Sequence, residues 1–437
     1  MIVFGVNNGI TQAGKSLKDG SCVVIKDGQI EGAICEERVA RIKHAGGFSA
    51  AYNHLKNCLS INPDSIDLVV TSSCCEDEKL SLKNDQLYNL FSSSKIISCN
   101  HHLSHAYSVY FTSPFDISII IVLDAGGNTF DDCTNPEWWK CKREQNSYYL
   151  AVNGKVELIG RDFFGPEETG MGELYRAFTY FTGWNSSSFA GNTMALAGRK
   201  HSFNYDESRK NIFHHKDGHI YTSTKNSPDS PILLVENVLR TAGFSTSPSS
   251  LDKIQIAKWI QCEIERSLCK LVNRLIRETG VDKICFSGGV AYNCKSMSKI
   301  TYESKASEIF VCPVAGDQGQ ALGNAIFGHL KICKKPMKFH YTGYYGPSYD
   351  TNFHMISKLI EKLKLPLIIQ HSCNISQEAA ELLANGNNIG WYQGKSEYGP
   401  RALGNRSILA SPLTKDVKKK LNIIKGRGVF KILCHGS

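Results

Sequence analysis

The strongest constraint on what this chain can fold into is a pattern that occurs twice within its first 160 residues. A strand-like IVFGV leads to a polar loop with Asp19, Gly20 and Ser21, then to CVVIKDGQIEGAI, where Asp27 and Gly28 mark a hairpin turn. Later, Ile117 to Leu123 forms an apolar strand, Asp124, Ala125, Gly126 and Gly127 form a loop, and SYYLAVNGKVELI turns at Asn153 and Gly154. Asp-Gly and Asn-Gly favour type I′ turns because both central residues need positive φ. Chance repetition is the alternative reading. A strand, an acidic glycine loop and a hairpin, made twice, is what two α/β lobes facing across a cleft produce.

The downstream segments add to this. Leu251 to Thr279 carries Ile256, Ile260, Ile264, Leu268, Leu271 and Leu275 at three- and four-residue spacing, with Gly280 after it, which predicts a long amphipathic helix. In KICFSGGVAYNC, a strand gives way at Ser287, Gly288 and Gly289, close to Asn293, so backbone amides at a helix start could receive a nucleotide phosphate. A glycine turn needed only for packing fits the same residues. The run Cys312 to Gly328, CPVAGDQGQALGNAIFG, repeats strand, glycine loop and helix, and places Asp317 at the strand ends where open α/β sheets bind ligands. The fold class expected is α/β, with two RNase H-like lobes on the plan of the actin, hexokinase and Hsp70 superfamily.

In NHHLSHAYSVY, His101 and His105 stand four residues apart, so a helix stacks both imidazoles on one face while His102 points elsewhere. That spacing suits two nitrogen ligands of a divalent metal, with a carboxylate from another loop completing the set; Asp317 is the choice. A structural histidine pair is the plainer reading. HExxH is absent, which excludes proteolysis of the metal-dependent kind that this motif supports.

The segment GKSEYGPRALGNRSILA, Gly394 to Ala410, reads as an anion cradle. Arg401 and Arg406 present planar forks of donors, Ser407 adds a hydroxyl, and Gly399 and Gly404 let backbone amides come close. Solvated arginines on a surface loop are the alternative.

The 437 residues, 42% hydrophobic and 21% charged, suit two to three ordinary globular domains. No apolar run reaches the roughly 18 to 20 residues that span a bilayer, and the N-terminus lacks signal-peptide features, so a cytoplasmic protein without membrane partners is expected. The 16 cysteines are dispersed without CxxC pairs and read as reduced thiols; vicinal Cys74 and Cys75 have no evident catalytic partner. The net charge of +9 is compatible with anionic small substrates and with polynucleotides, and its densest part, Lys415 to Lys431, reads as a solvated helix face.

KDGSC at Lys18 to Cys22, EERVARIKH at Glu36 to His44, HHLSHA, SPFD at Ser113 to Asp116, GELYRAFTYFTG at Gly172 to Gly183, NTMALA at Asn192 to Ala197, SGGVAYNC, GDQGQALG and the Gly394 to Ala410 segment occur in order along nearly the whole chain. Together they closely resemble the carbamoyltransferases that include the nodulation and antibiotic O-carbamoyltransferases. The resemblance implies a Kae1-like domain with lobes at 1–115 and 116–332, a linker and helix at 333–365, and an incomplete YrdC/Sua5-like α/β domain at 366–437. It further implies iron held by His101, His105 and Asp317, the histidines also acting in catalysis with Asp124 and Lys18; Mg is a further candidate ion with no ligands assigned. Asp19, Gly126, Gly288, Gly289 and Asn293 would bind nucleotide, and Arg401, Arg406 and Ser407 the phosphate of carbamoyl phosphate. The reaction implied makes carbamoyl-adenylate from carbamoyl phosphate and ATP, then transfers the carbamoyl group to a hydroxyl of a small secondary metabolite. The resemblance disfavours nucleic acid as a partner and allows a homo-oligomer.

The chain departs from the family pattern at several places. Lys18 replaces the usual histidine, DAGGN replaces Asp-Gly followed by Gly-Glu, Lys395 replaces arginine, Gly428 replaces glutamate, and ILCHGS follows Lys431 where an arginine- and proline-rich continuation is expected. The alternatives are a tRNA threonylcarbamoyl transferase, a catalytically silent nucleotide-binding remnant and, more weakly, a sugar kinase.

Overall fold

β1 (Ile2–Asn7), β2 (Ser21–Lys26) and β3 (Gln29–Cys35) form an antiparallel meander in the computed structural model. The model describes residues 1–8, 18–73, 90–91, 95–129, 142–164, 168–199, 212–216, 219–222, 231–349, 352–413 and 416–426. Cys74, Cys75, Lys415 and the tail from Arg427, with Gly428 and Lys431, lie outside the described residues. Asp27 at φ 48° and Gly28 at φ 83° make the left-handed turn that the Asp-Gly pair calls for. α1 (Glu36–Ala40) and α2 (Ser49–Cys58) follow, and α2 buries Ala51, Tyr52 and Leu55 in a cluster with Phe4 and Val24. β4 (Leu68–Ser73) and β5 (Ile96–Asn100) add in parallel beyond β1, giving the order β3-β2-β1-β4-β5.

After α3 (His101–Thr112) the plan repeats. β6 (Ile117–Leu123), β7 (Arg143–Val152) and β8 (Lys155–Phe164) form the second meander, turning at Asn153 and Gly154 with φ of 49° and 87°. α4 (Met171–Phe181), α5 (Ala190–Ala197), the hairpin of β9 (Phe213–Lys216) with β10 (His219–Thr222), and α6 (Pro231–Thr241) come next. α7 (Ser250–Thr279) is the expected long helix, opened by a Ser249–Asp252 capping box and ended by Gly280 at φ 73°. Its Ile256, Ile260, Ile264, Leu268, Leu271 and Leu275 are buried in the main core, each such side chain contributing roughly 1.5–3 kcal/mol. β11 (Lys283–Ser287), α8 (Cys294–Glu303), β12 (Glu308–Val311) and α9 (Gln320–Cys333) complete the lobe. Its sheet order, β12-β11-β6-β7-β8, has β6 in the place of β1. The fold is thus α/β with two RNase H-like lobes of the actin and hexokinase type.

The lobes exchange their last helices. α9 follows β12 of the second sheet yet packs on β1, β2 and β4 of the first, whereas α3 follows β5 yet touches β6 and β11. The 1–115 and 116–332 division therefore separates stretches of chain, and packing crosses it. α3 and α9 meet at backbone distance: a Cβ on Gly323 would lie 1.9 Å from the Ser104 carbonyl oxygen, and the Ser104 hydroxyl donates to the Gln320 carbonyl at 2.8 Å.

The first unit runs on to Tyr341. Lys338 draws residues assigned above to a linker back onto α3: its ammonium donates to the Tyr110 and Phe115 carbonyls at 2.7 and 2.5 Å, with burial lowering its pKa to about 8. The second unit, from Thr342, holds α10 (Phe353–Lys362), α11 (Ile375–Ala384), the antiparallel pair β13 (Asn388–Tyr392) and β14 (Arg406–Ala410), and α12 (Val417–Ile424). Phe353, Met355 and Leu359 of α10 are exposed, as are Leu365, Leu367 and Ile368 after it. The described cysteines are free thiols, as expected.

Replacing Gly323 by Ala should force α3 and α9 apart and cost about 1–3 kcal/mol, the usual penalty of overpacking. Thermal unfolding measures this, and an unchanged Tm would contradict the close approach.

Candidate metal centre at the helix crossing

β5 ends at Asn100, whose side chain accepts from the Leu103 amide at 3.0 Å and so starts α3 with His101 as its first residue. One turn later comes His105. Asp317 approaches from a short 3-10 turn, Asp317–Gly319, that leads into α9, and Asp124 stands just past the end of β6. Both lobes and both exchanged helices therefore contribute to one cluster.

One ligand atom from each of His101, His105, Asp124 and Asp317 falls within 4.8 Å of all the others. Nε2 of His105 lies 3.3 Å from Asp124 Oδ2 and 3.4 Å from Asp317 Oδ1; for His101 Nε2 the distances are 3.4 and 3.6 Å. Two imidazoles and two carboxylates suit a divalent first-row ion. The Gln320 side chain tests that fit. Its amide nitrogen lies beside the cluster, 3.0 Å from Asp317 Oδ1, 3.4 Å from His105 Nε2 and 3.2 and 3.0 Å from His101 Nδ1 and Nε2, so a group with partial positive charge borders the ligand atoms.

A neighbouring hydroxyl fixes the His105 tautomer. The Ser287 hydroxyl bonds the Ala315 carbonyl and His105 Nδ1, each at 3.3 Å; if it donates to the carbonyl it accepts from Nδ1–H, which leaves the Nε2 lone pair facing the cluster. Burial by itself would lower the His105 pKa, but Asp124 and Asp317 outweigh it and raise it above the ordinary value. Burial likewise pushes the Asp124 carboxyl up, and the two imidazoles more than reverse this, holding it well below the usual range. His102 points away, as expected: its Nδ1 meets Ser147 Oγ at 2.8 Å, and burial with His101 and His105 close by drives its pKa far down.

The structure brings His101, His105 and Asp317 together and adds Asp124 to them; sequence spacing had offered one carboxylate. The other candidates take different places. The Lys18 ammonium donates to the hydroxyls of Ser186 and Ser188 in the second lobe, each at 3.2 Å. Asp19 accepts from the Gln318 amide and pairs with Nδ1 of His44 at 2.7 Å. A Cβ on Gly126 would face Arg143, and one on Gly289 would lie 3.3 Å from Asp124 Oδ1.

Three candidates have structural work that sequence reasoning did not foresee. The Gly288 amide, expected to face a phosphate, donates to the Ala315 carbonyl at 2.8 Å. Asn293 caps α8 through the Ser296 amide and pairs with Gln261. Arg406, expected to hold a phosphate, donates to the carbonyls of Gln393, Asn405, Pro347 and Gly394 while lying 3.6 Å over the Tyr392 ring. Ser407 Oγ accepts from the Gly404 amide, and Arg401 is exposed. Glu397 organises this loop by accepting from the amides of Leu403, Asn405 and Arg406, and no sequence signal marked it.

Two outcomes follow from this geometry. Metal analysis should find a bound divalent ion that both His105→Ala and Asp124→Asn largely remove, and stoichiometric metal in either variant would refute the assignment. Because the folded-state pKa of His105 is raised, its protonation stabilises the metal-free fold fully below the unfolded value of about 6.5, and this is lost as pH rises through the folded value. The contribution of His105 to the metal-free fold, read as the difference in Tm between wild type and His105→Gln, should therefore shrink as pH rises above about 6.5, while the gain in wild-type Tm on adding metal should grow, since the ion needs deprotonated imidazole.

Comparison with known proteins places this centre in a family. The family model for the carbamoyltransferase N-terminus matches residues 78–326, and that for the carbamoyltransferase C-terminus matches residues 380–435. Nodulation protein NolNO of Sinorhizobium fredii is 27% identical over 467 residues, covering 99% of this chain and 65% of that protein. Nodulation protein NolO of Bradyrhizobium diazoefficiens is 30% identical over 335 residues, covering 76% of this chain and 57% of its own length. The 3'-hydroxymethylcephem-O-carbamoyltransferase of Streptomyces clavuligerus is 32% identical over 146 residues, 33% of this chain and 26% of that one. The chain thus spans 65% of the first of these relatives and 57% of the second. With all four cluster residues inside the longer matched region or at the loops it includes, the chain belongs to the carbamoyltransferase family.

Proposed function

We propose that the protein transfers a carbamoyl group to the hydroxyl of a small molecule, using carbamoyl phosphate and ATP. The observation that carries this reading is the convergence of His101, His105, Asp124 and Asp317 in a chain of this family. One relative is named for carbamoyl transfer to a hydroxymethyl group, which supports an alcohol as acceptor.

The carbamoyl carbon is a weak electrophile because nitrogen donates into its carbonyl. A divalent ion held by the four residues, iron being the favoured one, would polarise that carbonyl and stabilise the developing oxyanion. The chain's own residues do the rest. Ser287 keeps His105 Nε2 turned toward the cluster, Asp124 and Asp317 supply negative charge, and the α3–α9 contact fixes the spacing. A good leaving group is also needed, and carbamoyl-adenylate provides one. In this reading the first unit is Kae1-like and performs transfer. The second is part of a YrdC-like domain, where Arg401 meets the phosphate of carbamoyl phosphate and Arg406 holds the loop.

The engagement of Arg406 by four carbonyls favours one second reading, a protein that binds nucleotide without forming the adenylate. One assay separates the two. The purified chain with carbamoyl phosphate and ATP should release pyrophosphate and, with hydroxylamine present, form hydroxyurea. Asp124→Asn should lower hydroxyurea formation by about 10² to 10³-fold, the scale of a lost oxyanion-stabilising group, and leave nucleotide binding intact. Nucleotide binding with neither product would establish the second reading.

A further inference from the structure

A second polar cluster adjoins the metal centre, and its geometry suits proton transfer. His44 lies in the loop after α1 with its side chain 24% exposed, and its Nδ1 is 2.7 Å from Asp19 Oδ1. Both residues have left-handed backbone, φ 57° for His44 and 71° for Asp19, which side chains other than glycine rarely adopt. The two loops are laced together, since the Asp19 and Gly20 amides donate to the carbonyls of His44 and Ala45. Glu37 fixes the His44 backbone by accepting from its amide at 2.9 Å.

The same loop is tied to the metal centre. The Asn7 side-chain amide donates to the Asp19 carbonyl at 3.0 Å and to the Asp317 carbonyl at 2.9 Å. Ser21 Oγ donates to the Gln318 carbonyl, and the Gln318 amide donates to Asp19. The His44–Asp19 pair is therefore held one side chain away from the loop that carries Asp317.

Asp19, Glu37 and His44 also cluster closely enough to be considered for a cation. Lys43 answers that. Its ammonium already lies 2.8 and 2.7 Å from the two Glu37 oxygens, so the positive charge the carboxylates require is supplied by the chain. What remains is an imidazole whose Nδ1–H is taken by a carboxylate, which leaves Nε2 as a proton acceptor, the arrangement by which an aspartate orients a general base. The other imidazoles here are committed: His101 and His105 face the metal centre, and His102 is buried on Ser147.

We propose that His44, oriented by Asp19, accepts the proton of the attacking hydroxyl. The inference rests on the carbamoyl-transfer reading above. The O–H bond of the alcohol breaks as its proton passes to His44 Nε2, and the oxygen's electron pair forms the new bond to the carbamoyl carbon. The bond from that carbon to the phosphate oxygen of carbamoyl-adenylate breaks, its pair leaving on the phosphate.

Two kinds of acceptor test this. Glycerol and water are weak nucleophiles that need their O–H proton removed as they attack, whereas the nitrogen of hydroxylamine is nucleophilic enough to attack first and gives up its N–H proton to solvent afterwards. His44→Asn tolerates positive φ and can still donate to Asp19, yet it accepts no proton. With ATP and carbamoyl phosphate, this variant should lose about 10² to 10⁴-fold in transfer to glycerol and water. Its hydroxyurea formation, metal content and Tm should stay near wild type. Imidazole added to His44→Gly should restore O–H transfer selectively. Equal loss on both kinds of acceptor, no loss on either, or a wild type that carbamoylates hydroxylamine but neither glycerol nor water would overturn the role of His44 alone. A wild type that binds nucleotide and carbamoylates nothing would bring down the carbamoyl-transfer reading and this inference with it.

Discussion

The close approach of α3 and α9 is the contact on which the rest of the first unit depends. Each helix leaves the last strand of one sheet and packs on the other lobe, and they meet where Gly323 has no side chain and Ser104 bonds the Gln320 carbonyl. Gly5 of β1 allows the same intimacy beneath α9, where a Cβ would lie 2.0 Å from the Ala321 carbonyl oxygen. Interiors packed this densely do not deform gradually, so the crossing sets the spacing between the N-terminal turns of the helices. His101 and His105 ride on the first two turns of α3, Gln320 opens α9, and Asp317 lies in the 3-10 turn that leads into it.

Electrostatics and packing agree at this point. Burying two imidazoles beside the Asp124 carboxylate is costly unless charge is balanced, and the half-exposed Asp317 and the surrounding hydrogen bonds supply that balance. Ser287 holds His105, Asn100 caps the helix, and Asn7 ties the Asp317 loop to the Asp19 loop. The Gln320 amide beside the ligands brings partial positive charge to their border. The second unit contrasts with this. Its two-stranded sheet and exposed apolar residues on α10 leave much less buried, and Arg406 holds its own loop together by donating to four backbone carbonyls.

Much of the lobe architecture was legible because it is written locally. Asp27–Gly28 and Asn153–Gly154 declare positive φ in adjacent residues, and the spacing of Ile256, Ile260 and Ile264 declares a helix face. The histidine spacing likewise placed His101 and His105 on one face, with His102 turned aside. Gly288, Asn293 and Arg406 read differently in the two views because a sequence displays donors without displaying acceptors. The carbonyls and amides that engage them come from Ala315, from Gln261 and, for Arg406, from Gln393, Gly394, Asn405 and Pro347.

By itself, then, the amino-acid order determined two repeated sheets, the long helix, the histidine-bearing helix and the family to which the motifs belong. Only the tertiary structure decided that Asp124 joins the cluster, that α9 crosses to the first lobe, and that His44 lies on Asp19. The physical reason is separation along the chain. Turn dihedrals and helix periods are settled among neighbours, whereas contacts such as Gln320 with His101, 219 positions apart, or Asn7 with the Asp317 carbonyl, 310 apart, form when both lobes have packed and no local pattern encodes them.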